Sequence, residues 1–220
     1  MKEETMHRIR DETREWSSQL PESIGSFKLS RANAAVENTF EIFRYESPAR
    51  HRTVIGCYDE ATKEYKIRVR IGLNERCLTN FFADDFTQFV KHFDIDYINR
   101  LDDNEGGSNI FVDELNLPQW NYGRELPSSI NQFELFVSPS QPIEFSNGSS
   151  IIINYVDFER ARDLVIYYNI FSDEFNGEAR IDGHTHVLYD FDAKTLPELE
   201  QRLSDKLADC LERIKNRALC

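Results

Sequence analysis

The chain is expected to be an α+β protein that builds one plan twice, an antiparallel strand meander closed by an amphipathic helix, with a further amphipathic helix at its N-terminus. Three observations carry that expectation. In the first half, alternating Lys63–Ile71 leads into a helical pattern at Phe82, Phe86, Phe89, Val90 and Phe93. In the second, Gly177–Phe191 leads into Leu196, Leu199, Leu203, Leu207 and Leu211. Lys63 and Gly177 stand 114 residues apart and the helix starts Asp84 and Thr195 stand 111 apart, one register with a short indel between. The expected organisation is a first unit over 1–101, a joint over 102–130 and a second unit over 131–220, with the alternative that all of it packs as a single globular domain.

The elements follow in order. Met6, Ile9, Thr13, Trp16 and Leu20 recur at helical spacing over a charged remainder, and Pro21 ends that helix. Strands are expected over Thr39–Tyr45 and Thr53–Tyr58, with a turn at Asp59–Thr62. Tyr65, Ile67, Val69, Ile71 and Leu73 alternate with Lys66, Arg68 and Arg70, a strand with one buried and one basic, wet face. A helix from Asp84 to about Leu101 closes the first unit, capped by Asp84 or Asp85.

In the joint, Asp102–Ser108 reads as a polar turn, and Pro118, Gly123 and Pro127 break any long element. Trp120 and Tyr122 are expected to pin this segment to the edge of a core. Beyond it, Asn131–Val137 reads as a strand. Asn147-Gly148 and Asn176-Gly177 both read as hairpin turns, because a two-residue turn needs positive φ at both centres. Leu164–Tyr168 is apolar on both faces and is the expected central strand. Thr195 caps the last helix, Pro197 sits in its first turn, and the pattern runs to about Arg217.

Composition bounds the function. With 40% hydrophobic residues, 16 Phe and 9 Tyr, the chain is too apolar to stay disordered despite 30% charged residues. No apolar run reaches membrane-spanning length, and Met1–Thr5 lacks the apolar core of a signal peptide, so a cytoplasmic protein is expected. Four scattered cysteines, Cys57, Cys77, Cys210 and Cys220, form no metal or disulfide spacing; Cys57 and Cys210 read as buried inert thiols. Net charge is −13, with 16 basic against 20 acidic residues in 1–110 and 10 against 19 in 111–220. That field repels nucleic acid and anionic lipid, and it favours a basic partner.

Catalytic signatures are missing. There is no G-x-S-x-G and no phosphate-binding glycine loop, and no cofactor is implied. Asp103–Glu114 resembles a calcium loop in its acidic positions, but its glycine falls one place early at Gly107. Asp182, His184 and His186 stand at period 2, a spacing that could offer a metal one strand face; a metal-binding enzyme or sensor is therefore the alternative reading. The leading expectation is a non-enzymatic protein-binding module with an acidic surface, comparable in composition to immunity-type toxin neutralisers or secretion-type chaperones. Its contact carboxylates are expected at Asp102, Asp103 and Glu105 in the joint and at Asp173, Glu174 and Glu178 around a hairpin tip. A homodimer through the first helix is a further expectation.

Overall fold

In the computed structural model, residues 1–30, 34–93, 95–96, 98, 115–146 and 148–218 are described. The chain divides at Asp103/Asn104 into two compact units, each with its own antiparallel sheet of seven strands. No helix among the described residues is long and apolar enough to cross a membrane.

Unit 1 opens with helix α1 (Glu3–Ser18). Its strands are β1 (Ser23–Ile24), β2 (Phe27–Ser30), β3 (Ala34–Val36), β4 (Thr39–Ser47), β5 (Arg52–Asp59), β6 (Glu64–Ile71) and β7 (Asn74–Ala83), followed by α2 (Phe86–His92). Unit 2 has short helical turns at Leu117–Gln119 and α3 (Asn121–Arg124). Then come β8 (Ser129–Ile130), β9 (Phe133–Val137), β10 (Ile143–Ser146), β11 (Ser149–Asp157), β12 (Arg162–Asn169), β13 (Glu174–Ile181), β14 (His184–Ala193) and α4 (Leu196–Lys215). The sheet orders, β1-β2-β4-β5-β6-β7 with β3 on β4 and β8-β9-β11-β12-β13-β14 with β10 on β11, are the same path.

The repeat is tighter than the sequence suggested. From β4 to α2 each residue matches the one 110 positions later, as Thr39 matches Ser149, Glu64 matches Glu174 and Phe86 matches Leu196. No indel interrupts this stretch, and the 114-residue offset falls away. Irregularities repeat as well. β4 carries one extra residue between Glu41 and Phe43, and β11 does so between Ile151 and Ile153. Tyr65 faces Ala83 while Ile67 faces Leu78, so three extra residues of β7 bulge out; Phe175/Ala193 and Gly177/Leu188 do the same in β14. Bulges bend strands and re-aim side chains, and here each returns an aromatic, Phe81 or Phe191, to the core.

The hairpin tip of unit 2 is a correction. Asn176 and Gly177 lie inside β13, and the β12–β13 turn is Ile170–Asp173. The turn is nucleated by Asn169, whose Oδ1 accepts the N–H groups of Phe171 (2.9 Å) and Ser172 (3.4 Å). Asp59 does the same for Ala61 and Thr62 in unit 1. Gly177 is a glycine because the chain crowds it: a Cβ would stand 2.9 Å from the Leu188 carbonyl oxygen and 3.1 Å from Phe191 Cβ. Asn147 of the other expected turn lies outside the described residues. The expected helix from Asp84 to Leu101 is interrupted: α2 ends at His92 because Phe93, its C-cap, turns to extended backbone (φ −65, ψ 117).

Each core follows from the patterning. In unit 1, Ile9 is fully buried, and Trp16 of α1 sits among Phe43, Phe86, Phe89 and Phe93 at 5.2–6.0 Å between ring centroids. The apolar stripe of α1 is therefore covered within its own unit. Gly56 lies under the Phe43 ring, where a Cβ would fall 2.1 Å from Cε1. Asp85 caps α2 by accepting the Gln88 N–H at 2.8 Å.

In unit 2, Leu199, Leu203, Leu207, Cys210, Leu211 and Ile214 of α4 pack on Tyr155, Leu164, Ile166, Ala179 and Phe191. Thr195 caps α4, accepting the Glu198 N–H at 3.3 Å. β12 is interior to the sheet and buried on both faces, as its apolar run required. Part of the expected joint belongs to this core: Leu117, Trp120 and Leu126 join it, and Trp120 donates its Nε1–H to Glu200 at 3.0 Å.

The expected basic face of β6 is not an open positive island. Lys66 is buried between Asp59 (3.3 Å) and Glu64 (3.1 Å), Arg68 meets Glu75 (3.2 Å) and Glu41 (3.5 Å), and Arg70 meets Glu75 at 2.8 Å. Carboxylates of the neighbouring strands, with Glu64 of β6 itself, neutralise it.

Candidate functional site

The candidate surface is built on β13. Its residues alternate between half-exposed and buried, so Glu174, Asn176, Glu178 and Arg180 share one face while Phe175, Gly177, Ala179 and Ile181 fill the core. Asp173 precedes this row in the turn, at φ 52, and accepts the Tyr168 hydroxyl at 2.6 Å. Glu178 accepts the Tyr167 hydroxyl, also at 2.6 Å. Burial first, then this bond, hold the Tyr167 phenol far above its ordinary pKa, so it stays a neutral donor. Two of the carboxylates are thus oriented by hydroxyls that leave their charge uncompensated, and Asp173, Glu174 and Glu178 have no cationic partner among the described residues. Glu174 and Glu178 are four residues apart on an extended strand, ~13 Å, too far to share a proton as an acid–base pair.

Several other acidic groups of unit 2 have structural employment. Asp163 is fully buried and meets Arg180 at 3.6 Å; Asp157, 2% exposed, holds Arg160 at 3.1 Å. Asp190, on the bulge of β14, joins Lys206 at 2.7 Å and Arg213 at 2.8 Å on α4, and those bonds draw its pKa below the ordinary carboxylate value. Asp102, Asp103 and Glu105, along with the calcium-like segment after them, lie outside the described residues.

The structure sets Asp182 apart from His184 and His186, which share one face of β14. Asp182 is in the β13–β14 turn at φ 52, where the turn interrupts the strand alternation, and its carboxylate pairs with Arg217 at 3.1 Å and Arg162 at 4.0 Å. Arg162 in turn donates to the Ile214 and Lys215 carbonyls that end α4, so Asp182 belongs to a helix terminus. His184 and His186 are both exposed on β14. Among the described residues, no group of three or more His, Cys, Asp or Glu is arranged to hold a metal.

The thiols offer no activated nucleophile among the described residues. Burial pushes Cys57 up to about 12 and Cys210 up to about 11, and it raises exposed Cys77 as well, whereas a reactive thiol needs the opposite shift. An open concavity beside the β1–β2 hairpin is lined by Glu22, Ser23, Lys28 and Leu29.

Comparison of the chain with protein-family models, with curated proteins and with solved structures finds no match in any of the three. Tyr167 and Tyr168, which hold Glu178 and Asp173, were not among the expected site residues, because the turn expected at Asn176-Gly177 put the pairing of β12 with β13 out of register.

Proposed function

We propose that the chain is a non-enzymatic protein-binding module, meeting a basic partner through the carboxylates of β13 in the manner of an immunity-type toxin neutraliser or a secretion-type chaperone. One observation carries this reading. Asp173, Glu174 and Glu178 make no ion pair among the described residues, and Arg180, which shares the face of Glu174 and Glu178, is committed to Asp163; Asp157, Asp163, Asp182 and Asp190 are each matched to an arginine or lysine. Half-exposed carboxylates without ion-pair partners speed encounter with a cationic surface and select it over a neutral one. Cys57, Cys77 and Cys210 are free thiols, which fits a reducing cytoplasm.

The test is capture from an extract of the native host on immobilised protein, at low and at high salt, with wild type beside a Glu174→Lys/Glu178→Lys variant. A basic protein retained at low salt, released at high salt and lost from the variant is the expected result. Equal recovery on both, or none on either, overturns the reading.

A further inference from the structure

β14 is the last strand of its sheet, and its outer edge has no strand partner among the described residues. The turn before it fixes which backbone groups face outward. Asp182 (φ 52) and Gly183 (φ 81) form a two-residue turn closing the pair Ile181/His184, as two-residue hairpins require. In an antiparallel ladder the closing pair exchanges both hydrogen bonds, and alternate residues turn theirs away. The N–H and C=O of Thr185 and Val187 therefore point away from β13.

Natural edges are protected by lysines, prolines, short length or bulges. His184–Ala193 contains no Lys, Arg or Pro, and the bulge begins only after Leu188. His184–Val187 is exposed throughout, with Val187 at 56% and Tyr189 at 76%.

We infer that this edge pairs with the same edge of a second copy of the chain, antiparallel about a two-fold axis through His186. Charge selects the occupant. On a chain of net charge −13, residues 184–189 include no carboxylate. The flanking Asp182 and Asp190 are neutralised by Arg162 and Arg217 and by Lys206 and Arg213. In this register Asp190 of one copy comes opposite Asp182 of the other, and each carboxylate is already paired with cations of its own chain.

The register is self-complementary. Thr185 falls opposite Val187 of the second copy, so the outward groups on both exchange hydrogen bonds. Tyr189 falls toward Gly183 of the second copy, where nothing lies within 4 Å of a Cβ position and an aromatic ring can cover the glycine.

The experiment is sedimentation equilibrium of the full chain over a concentration series, with Val187→Pro and Val187→Lys, and amide hydrogen exchange at Thr185 and Val187. The Val187 N–H makes no bond to β13, so proline there removes an outward donor without breaking the sheet. Wild type is expected to pass from one-chain to two-chain mass with concentration, with Thr185 and Val187 amides protected only in the two-chain form. Both variants should raise the dissociation constant by about tenfold or more, since the two-fold removes each contact twice. If Val187→Pro unfolds, Val187→Lys and the exchange pattern decide. A wild type that stays one-chain at every concentration overturns the inference, and so does a two-chain form that survives Val187→Lys or leaves these amides unprotected.

Discussion

Tyr155 donates its hydroxyl to the carbonyl oxygen of Pro127 at 2.7 Å, tying the middle of β11 to the segment that leads into β8. Tyr45 makes the equivalent bond to Pro21 at 2.7 Å in unit 1. Both side chains are fully buried, so removing the hydroxyl leaves a carbonyl without its donor and keeps the ring's packing. Tyr45→Phe and Tyr155→Phe should each cost about 1–2 kcal/mol. With no shared partner, their effects should add in the double variant when followed by urea unfolding. A neutral result at either site would mean that the carbonyl finds water instead.

Gly177 should not accept a side chain. Gly177→Ala places a methyl against the Leu188 carbonyl and Phe191, and should destabilise by ~1–3 kcal/mol through overpacking; Gly177→Val should cost more. Gly183 is a useful contrast, because nothing crowds it and only its φ of 81 resists. Gly183→Ala should cost about 1–2 kcal/mol from backbone strain alone. Urea midpoints of the three variants check the order.

Asp190 sets an acid-side slope. Its folded carboxyl titrates below the unfolded value, mainly through Lys206 and then Arg213. The stabilisation is therefore complete above about pH 4 and is lost as pH falls through the lower folded value. Asp190→Asn should reduce stability at neutral pH by about 1 kcal/mol and flatten the loss on acidification. Thermal melts from pH 7 to pH 3 give both readings. A variant with an unchanged acid slope would show that the triad is screened.

The thiols should separate by accessibility. In the native chain Cys77 should react with a maleimide while Cys57 and Cys210 stay protected until denaturant is added. Because folding raises the pKa of both buried thiols, their contribution to stability is present below the unfolded thiol value. It is lost as pH rises through about 11 for Cys210 and about 12 for Cys57. Peptide mass mapping after labelling at neutral and alkaline pH tests both statements.

Asp173 can be reversed without disturbing the turn. The matching position in unit 1 is Lys63 at φ 59, so lysine already occupies this backbone conformation once in the chain. Asp173→Lys should lose the Tyr168 hydrogen bond and cost about 1 kcal/mol. A larger loss in thermal melting would give that carboxylate a structural role.

The plan of the fold was legible because alternation in Tyr65–Ile71 and the stripe Leu196–Leu211 are local signals of strand and helix. The turn at Asn176-Gly177 was misread for a physical reason. Asn-Gly reports local willingness to turn, whereas Gly177 answers to the bulge of β14 across the sheet, contact information that no short window holds. The true turns rest on Asp59 and Asn169, single side chains at strand ends with no flanking glycine. Lys63 matches Asp173, not Gly177, in the 110-residue register. Charge was legible only as a sum: Lys66, Arg68 and Arg70 read as a basic face because their carboxylate partners Asp59, Glu41 and Glu75 come from neighbouring strands and the turn. Glu174 and Glu178 were expected around a hairpin tip, whereas both lie on β13, with Glu178 in mid-strand. What holds Glu178, the Tyr167 hydroxyl, required the pairing of β12 with β13.

The glycine beneath Phe43 bears on how a chain containing two like sheets avoids folding into the wrong one. Tandem units of one topology are prone to exchange strands while they fold. At the matched site unit 1 pairs Phe43 with Gly56, and unit 2 pairs Ile153 with Ile166. β4 laid beside β12 would drive the Phe43 ring into Ile166, and β11 laid beside β5 would leave Ile153 over an empty glycine. β6 in place of β13 would bring Ile67 to the position where even a Cβ meets the Leu188 carbonyl at 2.9 Å. Side-chain volume thus marks each strand as belonging to its own sheet at these matched positions.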